Sequence, residues 1–431
     1  MAQDIEIPKW INKEIFCKML SQLNKGIDDI KSFNISRALA SGENYSTLML
    51  RVQIKMKLKD GSAENCSFML KLPYETKEMK DMLASLNFFH LENVVYNDVL
   101  NEMEKMYKEV GVELRFGAKC HRLPLDNEKL YLLLEDLNCC GFKNVNRLEG
   151  LDMEHTECIL RKLALFHAAS ACKVATLGPY PEKLFLHDLD NEYVRTKIKQ
   201  MYVSMAETFM KNLRNYKNCE KYRESLLTFF NNLIGWFVKA RTVHTQNFNV
   251  LNHGDMWNNN ILFKYKSDGH VEETYFVDYQ NCNYGPPVQD LYVLIFSSVH
   301  MDYKLKNFDY FIEYYYKYLV ENLKLLKYPL VIMSLQELQE QLKVYGGWAF
   351  LTCFFLMGVT LLDPTDEAKF EYLMRDTPES KDFQNLIYSN PRYIQCIEEI
   401  LPWLHERDLM DPKNLLKSLN ENSSSKLQME I

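Results

Sequence analysis

Apolar residues first recur at helical spacing over residues 8–23, where Trp10, Ile11, Ile15, Phe16, Met19 and Leu20 share one face behind Pro8. This predicts an amphipathic helix. The period then changes: Leu48, Leu50, Val52, Ile54 and Met56 alternate with other residues, and a second apolar stretch covers 66–72 after Asp60-Gly61. Two strands joined by a turn follow from that pattern. Residues 76–110 return to helical spacing through Leu86, Phe89, Val95, Val99, Met103 and Met106, and the short run Tyr131-Leu132-Leu133-Leu134 suits a buried strand.

From Asp152 onward the pattern is mainly helical, with Ile159, Leu160, Leu163, Ala164 and Phe166 leading into Ala168-Ala169 and a longer helical span over about 191–241. Two short strands interrupt it at 260–265 and 274–277, separated by Ser267-Asp268-Gly269, a hairpin turn signal. Apart from Gly285-Pro286-Pro287, the rest reads as helix to about His405, and residues 420–426 are polar enough to fray. The layout is α+β: a strand-rich part over 1–137, a mainly helical part over 138–419 and a tail over 420–431. A cleft between two such lobes is a natural ligand site.

Composition changes this picture little. At 431 residues the chain is too long for one compact core, and 47% apolar with 25% charged residues is ordinary for a soluble globular protein. A net charge of −7 argues against a nucleic-acid partner, which needs a basic face to displace counterions. The eleven cysteines form no metal-binding pair of pairs, and the adjacent Cys139-Cys140 suit reduced thiols in the cytoplasm. The acidic start carries no secretory pattern. Residues 344–362 are uncharged and long enough to span a bilayer, yet their glycines and threonines, and their place within a helical pattern beginning near Ser334, fit a buried core helix and no membrane span.

The candidate chemistry lies in His253-Gly254-Asp255-Met256-Trp257-Asn258-Asn259-Asn260 and in Asp278. Phosphoryl transfer needs a hydroxyl aimed in line, metal ions on the phosphates and positive charge around them. Asp255 and Asn260 are five positions apart, the spacing at which a kinase catalytic loop pairs its base with a metal-ligating asparagine. Asp278 ends the apolar run Tyr275-Phe276-Val277, where a hairpin returns it beside that loop. Two carboxylates and an amide oxygen suit a hard cation such as Mg²⁺.

His253-Gly254-Asp255-x-Trp257-x-x-Asn260 together with Val277-Asp278-Tyr279-Gln280 resembles the ecdysteroid kinase-like family, relatives of choline and aminoglycoside kinases. The resemblance covers roughly residues 8–401 and implies a two-lobed protein-kinase-like fold, ATP and Mg²⁺ as cofactors, and a small-molecule alcohol as acceptor, an ecdysteroid or a similar steroid-like or foreign compound. It implies that Asp255 receives the acceptor proton and that Asn260 and Asp278 hold Mg²⁺. Lys71, ending Phe68-Met69-Leu70-Lys71, corresponds to the lysine on the α- and β-phosphates, and Glu92 to its carboxylate partner. Asn44 and Ser46, within Ser41-Gly42-Glu43-Asn44-Tyr45-Ser46, match the phosphate-covering turn; Glu135 and Leu137 mark the linker whose backbone meets adenine. Asp290-Leu291 and Leu163-Ala164-x-Phe166-His167-Ala168 also match.

Three readings compete: a cytoplasmic, monomeric small-molecule kinase; a kinase-shaped binding or regulatory protein without transfer activity; and a metal-dependent hydrolase. The second usually lacks the base, the metal aspartate or the lysine, and all three are present. The third calls for further histidine ligands, for which only His244 and His270 are near in sequence. His167 reads as a structural histidine, and the aromatic run over 308–318 as packing rather than the wall of an acceptor pocket.

Overall fold

The computed structural model describes residues 7–23, 26–38, 47–73, 88–125, 129–181, 192–244, 246–365, 372–373, 377–411 and 413. Asn44, Ser46 and Leu86 lie outside the described residues, as does the polar tail. The opening helix runs over Lys13–Gln22, started by Asn12, whose side-chain oxygen accepts from the Ile15 N–H at 3.1 Å. Its buried Phe16, Met19 and Leu20 cover one face of a five-stranded antiparallel sheet.

That sheet has the order β1-β2-β3-β5-β4, from β1 (Ile27–Arg37), β2 (Thr47–Leu58), β3 (Ala63–Pro73), β4 (Cys120–His121) and β5 (Leu132–Glu135). The alternation read in β2 is realised, with Leu50, Val52, Ile54 and Met56 all buried. β1 escapes the sequence pattern: it is an edge strand paired only with β2, its IDDIKSFNISR sequence is largely solvated, and two register shifts interrupt its pairing.

Helix Phe88–Val94 passes through a π-turn at Val95–Val99 into helix Leu100–Glu109, so the described part of 76–110 is helical as expected. Helix Met153–Leu177 is capped by the Asp152 carboxylate on the His155 N–H at 2.9 Å. The helical span over 191–241 is a correction. It is divided into Glu192–Asn212, Arg223–Asn231 and Leu233–Arg241, with tight turns between and Asn218 at a left-handed φ of 57°.

Below the sheet, β6 (Val250–Asn252), β7 (Ile261–Tyr265), β8 (Val271–Phe276) and β9 (Asn283–Gly285) form two antiparallel pairs, β6 with β9 and β7 with β8. The β7–β8 hairpin was expected. The three-residue strands β6 and β9 are too short to show a period. These pairs sit among the helices, so the architecture is a strand-rich upper lobe over a mainly helical lower one, an α+β kinase-like fold.

The uncharged segment 344–362 bends rather than continuing the helix from Ser334. Helix Leu335–Val344 stops, the chain turns at Tyr345 and Gly346, and Gly347–Leu351, a π-turn at Thr352–Leu356 and Met357–Thr360 follow at 55° to it. The turn is close-packed, because a Cβ on Gly347 would lie 2.6 Å from the Trp236 ring. Trp348, Phe350, Cys353 and Phe354 are buried in the core. Among the described residues no single helix is long and apolar enough to cross a membrane, although this bent pair meets the length and composition for one. None of the eleven cysteines is in a disulfide.

Candidate active site

Between β6 and β7 the chain makes a tight excursion, His253 to Trp257, closed by a 3-10 turn at Asn258–Asn260. Its backbone is held from below by Asp290, in the first turn of helix Val288–Ser298 and fully buried. The two Asp290 oxygens accept from the His253 N–H at 2.7 Å and the Gly254 N–H at 2.8 Å. A third bond comes from His167 Nε2 at 3.2 Å, and His167 Nδ1 lies 2.7 Å from the Tyr315 hydroxyl. Burial keeps His167 below the usual imidazole range, so its neutral ring donates to Asp290 and accepts from Tyr315. This bears out a structural histidine. It also joins three helices distant in sequence to one loop.

His253 works in the same way. Its Nε2 donates to the Val277 carbonyl at 3.0 Å while Nδ1 faces the Asp255 N–H at 3.3 Å, a pairing that needs the neutral ring. Burial lowers its proton affinity accordingly. The imidazole therefore fixes the loop to Val277, between β8 and Asp278, and both loops face one cleft.

Gly254 explains why this loop carries glycine where protein kinases write arginine. Its φ is +81°, and a Cβ there would stand 2.1 Å from the Asn281 carbonyl oxygen and 2.8 Å from its carbon. Both are main-chain atoms that cannot swing away. Gly254→Ala is expected to destabilise the protein by about 2–4 kcal/mol. The fall in thermal midpoint measures it, and an unchanged midpoint would show that the two loops move apart at no cost.

Asn260 Nδ2 donates to the Asp255 main-chain oxygen at 2.9 Å and to its carboxylate at 3.0 Å. That fixes the amide so that its oxygen remains for another partner. Asp255 is partly exposed to the cleft. Burial, and then the Asp278 charge, push its carboxyl up to about 7, against hydrogen bonds from Asn260, Trp257 and Asn281.

Asp278 follows β8 in the left-handed region, φ 67° and ψ 60°, a conformation that costs most side chains 1 kcal/mol or so. One of its oxygens lies 2.7 Å from Lys71 Nζ, which also lies 2.7 Å from Glu92 Oε2. Lys71 and Glu92 are buried, with side chains 5% and 2% exposed. Burial pulls the lysine's proton affinity down; Asp278 and Glu92 outweigh it and hold Lys71 above the ordinary lysine range. Glu92 is raised, to about 7, by its own burial, against the pull of Lys71. The lysine and its two acids come from β3, from helix Phe88–Val94 and from just past β8.

Lys71, Glu92, Gly254, Asp255, Asn260 and Asp278 line one cleft of about 800 Å³. Its upper end is bounded by Ala38, Met69, Leu134, Glu135, Leu137 and Leu262. Glu135 is engaged by Arg115 Nη2 at 2.5 Å and by the Lys119 N–H at 3.2 Å, so its carboxylate braces the linker. The far end is mainly apolar and aromatic, with Arg147, Thr352 and Thr360 also in its lining. Tyr202 packs on Phe237 and Phe355 with centroids 4.5 and 4.4 Å apart, and Met201, Trp348 and Leu351 complete that wall. The aromatic run over 308–318 contributes none of the described lining and is packing, with Phe308, Phe311 and Tyr315 buried in the core.

Residues 41–328, more than half of the chain, match the model of the ecdysteroid kinase-like family. The chain belongs to the ecdysteroid kinase-like family. A comparison with curated proteins finds no match. The family assignment carries the general reading of a small-molecule, kinase-like phosphotransferase. The structure brings Lys71, Glu92, Asp255, Asn260, Asp278, Glu135 and Leu137 to the one cleft of this ecdysteroid kinase-like chain. Sequence reasoning marked Asp290 only as part of a matching pair, without its hold on the loop, and missed the steric demand at Gly254 and the bent segment that supplies Trp348, Leu351 and Phe355. For Asp290 the available signal was its place just after Pro286-Pro287, at the head of an apolar helix.

Proposed function

We propose that this protein is an ATP-dependent kinase that transfers the γ-phosphoryl group to an alcohol hydroxyl of an ecdysteroid or a similar steroid-like or foreign compound. The observation that carries the reading is the meeting of the Asp255–Asn260 pair with the Lys71–Glu92–Asp278 cluster in one cleft whose far wall is mainly apolar.

Asp255 lies on the cleft side of the loop, where it can orient the acceptor hydroxyl and receive its proton as the oxygen attacks phosphorus. Its raised proton affinity suits that role, since a base near neutrality accepts a proton without holding it. Lys71, kept charged and aimed by Glu92, steadies the α- and β-phosphates. Glu135 and Leu137 set the position of the linker against which the adenine edge would lie. Asn44 and Ser46 retain their proposed part in covering the phosphates.

The residues present suit magnesium. Among the described residues no cluster of three or more His, Cys, Asp or Glu side chains has metal-holding geometry, which disfavours a dedicated protein cage. One carboxylate, Asp278, and one amide oxygen, from Asn260, are what a cation needs when phosphate oxygens and waters complete its shell. Mg²⁺ there would neutralise charge on the phosphates.

The acceptor class follows from the far wall. The carboxylates that line the cleft among the described residues, Glu92, Glu135, Asp136, Asp255 and Asp278, all sit at the catalytic centre or the linker. Among the described residues that line the cleft, Tyr202, Phe237 and Phe355 present rings rather than carboxylates, a surface on which a neutral lipophilic alcohol buries apolar area at about 25 cal/mol per Å². In a screen of purified protein against ecdysteroids, plant phenolics and amino alcohols, ATP consumption is expected only with Mg²⁺ and a neutral acceptor. Turnover of amino alcohols alone would reject the acceptor class, and no turnover with any compound would reject the kinase reading.

A further inference from the structure

The roof of the upper cleft carries a cation. Arg51 lies on β2 opposite Met69 of β3, and both line the cleft. Its Nε donates to Asp136 Oδ2 at 2.8 Å, and the same oxygen accepts from the Ser67 hydroxyl at 2.6 Å. Asp136 is 2% exposed and Arg51 25%. With the Asn138 amide oriented so that both its ends are satisfied, its oxygen accepts from Arg51 Nη2 at 3.2 Å and its nitrogen donates to the Phe142 carbonyl at 3.3 Å. One edge of the guanidinium is therefore tied to the linker between the lobes.

Among the described residues, what remains for a ligand is the planar face and the Nη1 end. Position decides which part of a nucleotide that face can meet. Ser67, which shares Asp136 with Arg51, lies four residues along β3 from Lys71, or about 13 Å at the rise of a strand. Arg51 leaves β2 opposite Met69, two residues or about 7 Å from Lys71, and its bond to Asp136 carries the guanidinium away from Lys71 toward the Ser67 end, the side on which Leu134 and Leu137 bound the cleft from the linker and Leu262 from the lower hairpin.

The geometry points to Arg51 as the residue that selects the nucleotide base: its guanidinium, held by Asp136 and Asn138, stacks on the face of a purine with Leu262 beneath. The inference rests on the kinase reading above. Guanidinium stacks well on flat π-systems and is weakly hydrated, so it covers a base at small desolvation cost. A purine offers two fused rings to such a plane and a pyrimidine one, so the arginine discriminates between them by area. An arginine serving only to clamp β2 to the linker would strengthen every nucleotide equally.

Calorimetric titration with Mg²⁺–ATP and Mg²⁺–CTP separates these cases. The parent protein is expected to bind ATP more tightly than CTP, and Arg51→Met, which keeps the bulk of the side chain, should weaken ATP about tenfold while narrowing the ATP-to-CTP ratio by at least about threefold. Arg51→Lys, with charge but no plane, should also narrow that ratio. If the parent binds ATP and the ratio is the same in both variants, Arg51 is a clamp and the inference fails while the kinase reading stands. If the parent binds no nucleotide, both fail. A thermal midpoint on each variant identifies one that does not fold, and the ratio in the other then decides.

Discussion

Asp278→Asn is expected to lower kcat by about 10³-fold or more while the protein stays folded. On the proposed mechanism Asp278 is the anionic ligand of the metal that neutralises phosphate charge. Loss of several kcal/mol of such stabilisation converts to three or more orders of magnitude in rate. Asparagine is the informative replacement. It tolerates the left-handed backbone that Asp278 adopts at φ 67°, where alanine would add strain of its own. The fold is expected to survive because Lys71 keeps Glu92 at 2.7 Å, and removing one of two acids around a single lysine leaves a balanced pair. Steady-state kinetics across Mg²⁺ concentrations, with a thermal midpoint as control, make the measurement. A kcat within tenfold of the parent would remove Asp278 from the metal site.

Asp255→Asn should lower kcat by about 10²–10⁴-fold, the range for loss of a positioned general base. Affinity for ATP should change little, because the group meets the acceptor rather than the nucleotide. The Asn260 amide can still donate to the new side-chain oxygen, so the loop keeps its shape.

The same substitution has a signature in stability. The Asp255 carboxyl lies near 3.8 in an unfolded chain and is raised to about 7 in the folded one, first by burial and then by the Asp278 charge. A carboxyl raised on folding is protonated in the native state while the unfolded chain is already ionised, so stability falls as pH rises from about 4 to about 7 and is level above. The variant lacks that loss. In Mg²⁺-free buffer its thermal midpoint should gain on the parent across this interval and hold the gain at pH 8. Equal midpoints from pH 5 to pH 8 would show that Asp255 is not raised. Activity lost together with stability gained is the pattern of a group kept for chemistry at the expense of the fold.

The two lobes meet at this site through the Lys71 ion cluster and the packing beside it, where Tyr96 abuts Tyr279 and the Phe276 N–H donates to the Phe116 carbonyl at 2.9 Å. Lys71 reaches Asp278 across 207 positions, and Glu92 comes up from a helix to complete the cluster. Buried charges are stable only when paired. Each of these partners therefore also fixes the geometry at which the upper sheet closes on the lower loops, and the arrangement that holds the lobes together is the one the proposed transfer would use.

What sequence alone determined was local chemistry and local period. The alternation in β2 marked its buried face because side chains of a strand alternate between core and solvent. The five-residue interval between Asp255 and Asn260 marked a turn tight enough for one side chain to reach the other. Asp278 and Lys71 read as strand ends; in the structure Asp278 lies two residues past β8 and Lys71 lies within β3, two residues before its end. Tertiary structure decided whatever depends on contacts distant along the chain. Gly254 is required by the carbonyl of Asn281, and the loop is held by Asp290, 36 and 37 positions beyond the N–H groups it accepts. The apolar run over 344–362 was legible as a buried core segment rather than a membrane span, but not as a pocket wall, since hydrophobicity records that a segment avoids water and not what it faces. Only the bend at Tyr345 and Gly346, set by packing of Gly347 on Trp236, turns Trp348, Leu351 and Phe355 toward the cleft.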